Sequence, residues 1–237
     1  MTRWLWIALA FLAAIGLALA LCFLGIWIPN EPSRATYPIR GIDVSHHQRD
    51  IDWNAVKGSE IRFAYIKATE GASFKDAKFA ENWRNGRAAG LAVGAYHFFT
   101  FETSGELQAS NFIAEVPVMP DALPPAIDLE FSGYNKNRRP SGQAFQTELA
   151  SFWDAIVAHY GKVPVIYTTS DFQEQYLREM PIERLWIREV MTVPAQRWTF
   201  WQFSPRGRIR GISTFVDLNV FHGRPQDFET FARAASN

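Results

Sequence analysis

A mixed α/β barrel, preceded by one membrane-spanning helix, is the fold this 237-residue sequence predicts. Three observations predict it. Apolar strand-like runs alternate with amphipathic helix-like stretches. Roughly eight such runs fall within about 200 residues, enough to close a barrel. Acidic residues sit inside several of the runs near their C-terminal ends, where β/α barrels carry their chemistry.

The first element is the anchor, residues 1–30. Trp4 to Ile28 is a run of 25 residues without a charge. As a helix rising about 1.5 Å per residue it spans roughly 37 Å, more than the roughly 30 Å hydrocarbon core of a bilayer. Trp4, Trp6 and Trp27 lie near its ends, where interfacial aromatics belong, and Pro29 stops it. The rival reading is a cleaved signal peptide cut near Ala18-Leu19-Ala20. Its apolar core would be about 7–15 residues, and here apolar sequence continues past the site. The sequence therefore predicts a retained single-pass anchor. Arg3 favours a cytoplasmic N-terminus, which places the rest on the periplasmic or extracytoplasmic side, or outside the cell if the segment is cut. Residues 31–38, with Pro32 and Pro38, read as a short extended linker.

The barrel is expected over residues 39–237. Strands are expected at Ile39–Ser45, Ile61–Ala68, Leu91–Phe99, Pro125–Glu130 and Val163–Thr168, then Arg184–Ile187, Trp198–Phe203 and Phe215–Val220. Helices are expected between the first five. In Ser141–Tyr160, the residues Phe145, Leu149, Phe152, Ile156 and Tyr160 form one apolar face, with Gly161 as the stop. Asp76–Ala89 places Phe79 and Trp83 on one face, and Ser104–Val116 places Leu107, Phe112 and Val116. Such units imply parallel strands with right-handed crossovers. The last three strands have little sequence between them. The expected form is a modified TIM-like barrel with about five regular β/α units and a strand-rich C-terminal end.

Composition narrows the function. Lys plus Arg and Asp plus Glu are both 24, so the net charge is zero and a phosphate-gripping nucleic-acid binder is excluded. The single Cys22 forms no intramolecular disulfide and no zinc cluster. His46 and His47 lack a third ligand at metal-binding spacing, so they read as hydrogen-bonding loop residues. No metal or cofactor is expected.

The carboxylates stand out. Asp43, Asp128, Glu130 and Asp217 each lie in an apolar run, where a charge is costly unless paired or used. Asp128 and Glu130 are two apart on a strand, so they share a face at roughly 6.5–7 Å. Two carboxylates so close do not easily both ionise. An acid beside a carboxylate suits glycosidic bond cleavage. The same spacing also suits strand-end residues paired with Lys or Arg. Tyr96, Tyr167, Tyr65 and Trp186 lie toward the C-terminal halves of strands, where a ring either packs in the core or stacks on a sugar, and Gln202 between aromatics needs a polar partner. His97 alternates with Tyr96 and should face a helix. Lys67 reads either as a partner of the acids or as a solvated strand end.

The ordered motifs resemble family 25 of the glycoside hydrolases, the lysozymes of the Chalaropsis and cellosyl type. They run GIDVSHHQRDIDW (Gly41–Trp53), FAYIKATEG (Phe63–Gly71), FAENWRNGRAAGLAVGAYHFF (Phe79–Phe99) and QASNF (Gln108–Phe112). PPAIDLE (Pro124–Glu130), PVIYT (Pro164–Thr168), LWI (Leu185–Ile187), FWQFS (Phe200–Ser204) and VDLNVF (Val216–Phe221) follow. The resemblance spans Ile39–Phe221. It implies a β/α-barrel muramidase, monomeric in its catalytic unit. Such an enzyme cuts the β-1,4 bond between N-acetylmuramic acid and N-acetylglucosamine in peptidoglycan. It further implies Glu130 as general acid. Asp128 would be the carboxylate that stabilises charge at the anomeric centre or orients the acetamido group. Asp43 and Asp217 would be the flanking acids. Arg188-Glu189-Val190 after LWI, and Arg49, depart from the family pattern and bear on substrate detail. A glycosidase acting on another N-acetylhexosamine polymer such as chitin, and a non-catalytic wall-binding protein, are the alternatives.

Overall fold

The computed structural model describes residues 2–132 and 139–233. Residues 133–138 and 234–237 of the expected barrel domain, and Met1 of the anchor, lie outside them.

Helix α1 (Thr2–Phe23) carries the N-terminal apolar run. Over Arg3–Phe23 its mean hydropathy is 2.6 and none of the stretch is buried against the rest of the chain. It is long and apolar enough to cross a membrane. The strands are β1 (Arg40–Val44), β2 (Ile61–Glu70), β3 (Phe74–Lys75), β4 (Ala92–Phe98) and β5 (Ala126–Leu129). β6 (Val165–Thr169), β7 (Leu185–Arg188), β8 (Phe200–Gly207) and β9 (Val216–Phe221) follow. Eight of them close a barrel in the order β1-β2-β4-β5-β6-β7-β8-β9, with β9 pairing back to β1. β3 is a two-residue hairpin return on β2 that sequence periodicity is too short to show. From β1 to β8 the barrel strands run parallel. β9 is antiparallel to both neighbours. The short 208–215 connection allows a hairpin, whereas a parallel crossover needs a dozen or more residues.

The helices are α2 (Trp53–Gly58), α3 (Phe79–Ala88), α4 (Gly105–Glu115), α5 (Gly142–Tyr160), α6 (Ser170–Phe172, continuing as a π turn over Gln173–Leu177) and α7 (Pro225–Arg233). Ser141 caps α5 by accepting from Ala144 N, and Gly161 ends it with φ +61°. Ser104 caps α4 in the same way from Leu107 N. α3 starts three residues later than periodicity suggests. Asp76 is buried, and its carboxylate accepts from the backbone N–H groups of His46 and Lys78.

Two apolar layers result. One lies between barrel and helices. The other fills the barrel interior with Phe63, Tyr65, Trp186 and Phe200, and Phe228 of α7 seals the bottom. A Cβ at Gly41 would meet the Phe63 ring at 2.3 Å, and one at Gly94 the Tyr65 ring at 2.4 Å. These two glycines make room for the rings. The interior is therefore plugged, and only its upper end opens.

Residues 31–38, expected as an extended tether, touch the barrel at Pro32 and Tyr37 while the rest of the segment stays exposed. Ile28 and Tyr37 lie against the outer apolar layer, with Tyr37 5.4 Å from the Trp198 ring. Arg40 pairs with Glu31 at 3.1 Å and donates to Pro32 O. Among the described residues no crossover helix lies between β8, β9 and β1, and Tyr37 covers apolar surface there that would otherwise meet water.

Candidate active site

Asp43, Asp128, Glu130 and Asp217 line one cavity of about 190 Å³ at the open end of the barrel. Tyr96, Tyr167, Trp186, Arg188 and Gln202 line it with them. Strand alternation brings these groups together, since inward positions recur every second residue. Asp128 is the third residue of β5 and Glu130 follows its end. Asp43 and Asp217 face each other as register partners across β1 and β9.

Each acid has a different set of partners. Asp43 Oδ2 accepts from Gln202 Nε2 at 3.0 Å and Asn219 Nδ2 at 2.7 Å. Those amides are held in turn. Tyr167 OH donates to Gln202 Oε1 at 3.0 Å, and Trp186 Nε1 donates to Asn219 Oδ1 at 2.8 Å. Glu130 Oε2 lies 3.8 Å from Arg188 Nη1. Asp128 is 9% exposed, and its Oδ1 is buried without a hydrogen-bond partner among the described residues.

Burial is the main cause that raises the proton affinity of all four. It pushes Asp43 up to about 6, against the donors from Asn219 and Gln202. Asp128 goes well above the ordinary carboxylate range through burial and then the charge of Glu130. Asp217 does so through burial and then Asp43. Glu130 is raised by burial and held back by Arg188. Burial therefore favours the protonated form at every member of the cluster, opposed by the amide donors at Asp43 and by Arg188 at Glu130. This is the raw material of acid–base chemistry.

Tyr65 is the sequence-selected site residue that the structure places elsewhere. It is fully buried in the interior plug, its OH donates to Pro124 O at 3.2 Å and its ring lies 4.9 Å from Trp186. It supports the floor of the cavity and does not line it. His97 faces outward, between Thr69 Oγ1 at 2.7 Å and Gln108 Oε1 at 3.1 Å, and burial lowers its pKa to about 3. His46 pairs with Asp76 at 2.7 Å, while His47 lines the cavity. Lys67 pairs with Glu70 at 2.6 Å beside the acids. Asn219 was not singled out from sequence. Its position two residues after Asp217 puts it on the same strand face, and that spacing was the available signal.

The sequence profile of glycosyl hydrolases family 25 matches residues 42–212. The uncharacterized protein YegX of Escherichia coli (strain K12) is 33% identical over 210 residues, covering 83% of this chain and 74% of that protein. Lysozyme M1 of Streptomyces globisporus is 34% identical, covering 79% and 69%. Among solved structures, a family 25 glycosyl hydrolase from Bacillus anthracis superposes with a TM-score of 0.81 at 38% identity, covering 86% of this chain and 97% of that one. The bacterial lysozyme from Streptomyces coelicolor gives 0.72 at 32%, covering 82% and 97%.

Proposed function

The chain belongs to glycosyl hydrolases family 25 and is a glycoside hydrolase, and from that premise we propose that it is a peptidoglycan muramidase with Glu130 as its general acid. The bond cut is the β-1,4 link between N-acetylmuramic acid and N-acetylglucosamine. One observation carries the reading: Asp128 and Glu130 converge in one cavity in which burial favours their protonated forms.

Glu130, whose protonated form burial favours, donates to the leaving oxygen. Asp43, whose carboxylate accepts from two fixed amides, then faces an oxocarbenium-like centre with negative charge in a site of low dielectric, with Asp128 and Asp217 beside it. The unpartnered Asp128 Oδ1 is left for a donor on the substrate, such as an acetamido N–H. The Arg188 guanidinium at the cavity supports muramic acid over chitin, because muramic acid carries a lactyl carboxylate and chitin is uncharged. In this reading α1 is retained, the catalytic barrel is monomeric, and it works on the extracytoplasmic side.

The test is digestion of purified sacculi and of chitin oligomers by the full chain in detergent, with fragments identified by mass spectrometry. Fragments ending in reducing N-acetylmuramic acid are expected from the wild type and none from Glu130→Gln, since an amide is no proton donor. Normal turnover by a folded Glu130→Gln protein would refute the acid assignment. Cleavage of chitin alone would refute the substrate.

A further inference from the structure

The end of α1 is gripped by the barrel. Arg206 Nε donates to Phe23 O at 2.8 Å, and Arg208 Nε donates to Leu24 O at 2.6 Å. The Arg206 guanidinium lies 4.4 Å from the centroids of both Phe23 and Phe215. Gly25, at φ +64°, lies so close to β8 that a Cβ there would stand 2.1 Å from Arg206 O. Cations on the last carbonyls of a helix also suit its dipole. The junction is thus a fitted contact.

Where α1 spans a bilayer, its C-terminal turn lies at the headgroup layer, and guanidiniums bonded to that turn lie there too. Arg206 and Arg208 use only Nε in these bonds. Together with exposed Arg210 they form no ion pair with a carboxylate among the described residues. Apolar side chains lie beside them. Ile26 is 64% exposed and Trp27 49%. Asn30 Nδ2 donates to Thr192 O at 3.0 Å, tying in a loop whose Met191 is 80% exposed. Basic forks next to an indole and aliphatic groups match the headgroup–acyl boundary of an anionic bilayer.

We propose that this junction is a lipid-headgroup docking surface that seats the barrel on an anionic bilayer. The proposal rests on α1 being retained and spanning the membrane. Pro205, the residue before Arg206, lines the catalytic cavity, so the docked barrel presents its catalytic rim at the membrane surface. The glycan it reaches is then the glycan nearest the membrane.

The test uses the full chain with Cys22→Ala, carrying a nitroxide at Met191→Cys or, as a reference on α7, at Thr230→Cys. The protein is reconstituted in vesicles of phosphatidylcholine with phosphatidylglycerol, or of phosphatidylcholine alone. Co-sedimentation reads insertion of α1, and collision with a water-soluble nickel chelate reads docking. Docking predicts a several-fold lower collision rate at 191 than at 230 in anionic vesicles. It predicts loss of that difference in phosphatidylcholine alone and in Arg206→Gln/Arg208→Gln, whose amides still reach the carbonyls. Equal rates at both labels in inserted protein would overturn the docking. Shielding that ignores lipid charge would overturn the headgroup assignment. A chain that co-sediments only after losing α1, or not at all, would overturn the premise. The lipid comparison needs no arginine variant, so a misfolded double variant does not spare the proposal.

Discussion

Replacing Arg188 with Met should move the whole pH–rate profile to higher pH. Arg188 Nη1 stands 3.8 Å from Glu130 Oε2, with side chains 40% and 25% exposed. At that distance a unit pair interacts by about 1 kcal/mol in a water-like medium and about 4 kcal/mol at an effective dielectric near 20. The exposure of Arg188 weights the value toward the lower end, about 1–2 kcal/mol. The cation favours the Glu130 carboxylate, so its removal keeps the proton on Glu130 to higher pH. The alkaline limb of kcat/KM reports the acid of the free enzyme. It should move by about fivefold to thirtyfold in proton concentration. Arg188 also lowers the proton affinity of Asp43 and Asp217. The acidic limb should therefore follow, and the bell should translate without broadening. The assay is kcat/KM against pH on soluble glycan strands at constant ionic strength, because salt screens the pair. Met keeps the stem and its packing. An alkaline limb that stays put or moves to lower pH would refute Glu130 as the acid that Arg188 tunes.

Asp43→Asn should stabilise the fold increasingly as pH rises from about 4 to about 7. Burial raises the folded-state pKa of Asp43 to about 6 from the ordinary aspartate value of 3.8. Ionising it in the native state therefore costs stability that is absent below pH 4 and fully felt above pH 7. The expected gain is up to about 3 kcal/mol at pH 8 and close to zero at pH 3.5, read from denaturant midpoints in detergent. A gain independent of pH would show that burial does not set this site. Gly105→Ala should loosen the α4–α5 contact. A Cβ there would lie 1.8 Å from Glu148 O, a backbone atom that cannot swing away. A loss of about 1–3 kcal/mol is expected in the same denaturation assay. An unchanged midpoint would mean the two helices part freely.

The helices α3, α4 and α5 were legible because their signals are local. The 3.6-residue rhythm, Ser141 and Gly161 suffice to place α5, and the structure begins and ends it there within a residue. The acids were legible because a charge in an apolar run is costly wherever the strand lies. Depth within the barrel was not legible. Tyr65 and Tyr167 look alike in sequence, yet one is floor and the other wall. Local register does not separate them, since Tyr65 pairs with Asp43 and Tyr167 with Asp128; their partners in the closed barrel do, Tyr65 bonding Pro124 O and Tyr167 bonding Gln202. The docking of Pro32 and Tyr37 was hidden for a similar reason. It depends on no helix among the described residues covering β8, β9 and β1, which is a fact about the far end of the chain.

The aromatics chosen as sugar platforms also organise the charge. Tyr167 and Trp186 line the cavity, but their polar atoms are committed to Gln202 and Asn219. Those two amides donate to a single oxygen of Asp43. Gln202 is thereby fixed in orientation, its oxygen toward Tyr167 and its nitrogen toward Asp43. Asn219 is fixed likewise between Trp186 and Asp43. The carboxylate is thus oriented by groups that are themselves packed in the barrel interior, where rotation would leave a buried polar atom unpaired. Asp128 lacks such support at Oδ1, and Glu130 has only a half-exposed cation. The acid with two fixed donors is the one suited to hold negative charge in place. The two acids without them are the ones free to exchange a proton or a hydrogen bond with a substrate. Division of labour among these three chemically similar groups is therefore set one layer below them, by which neighbours the barrel has already committed.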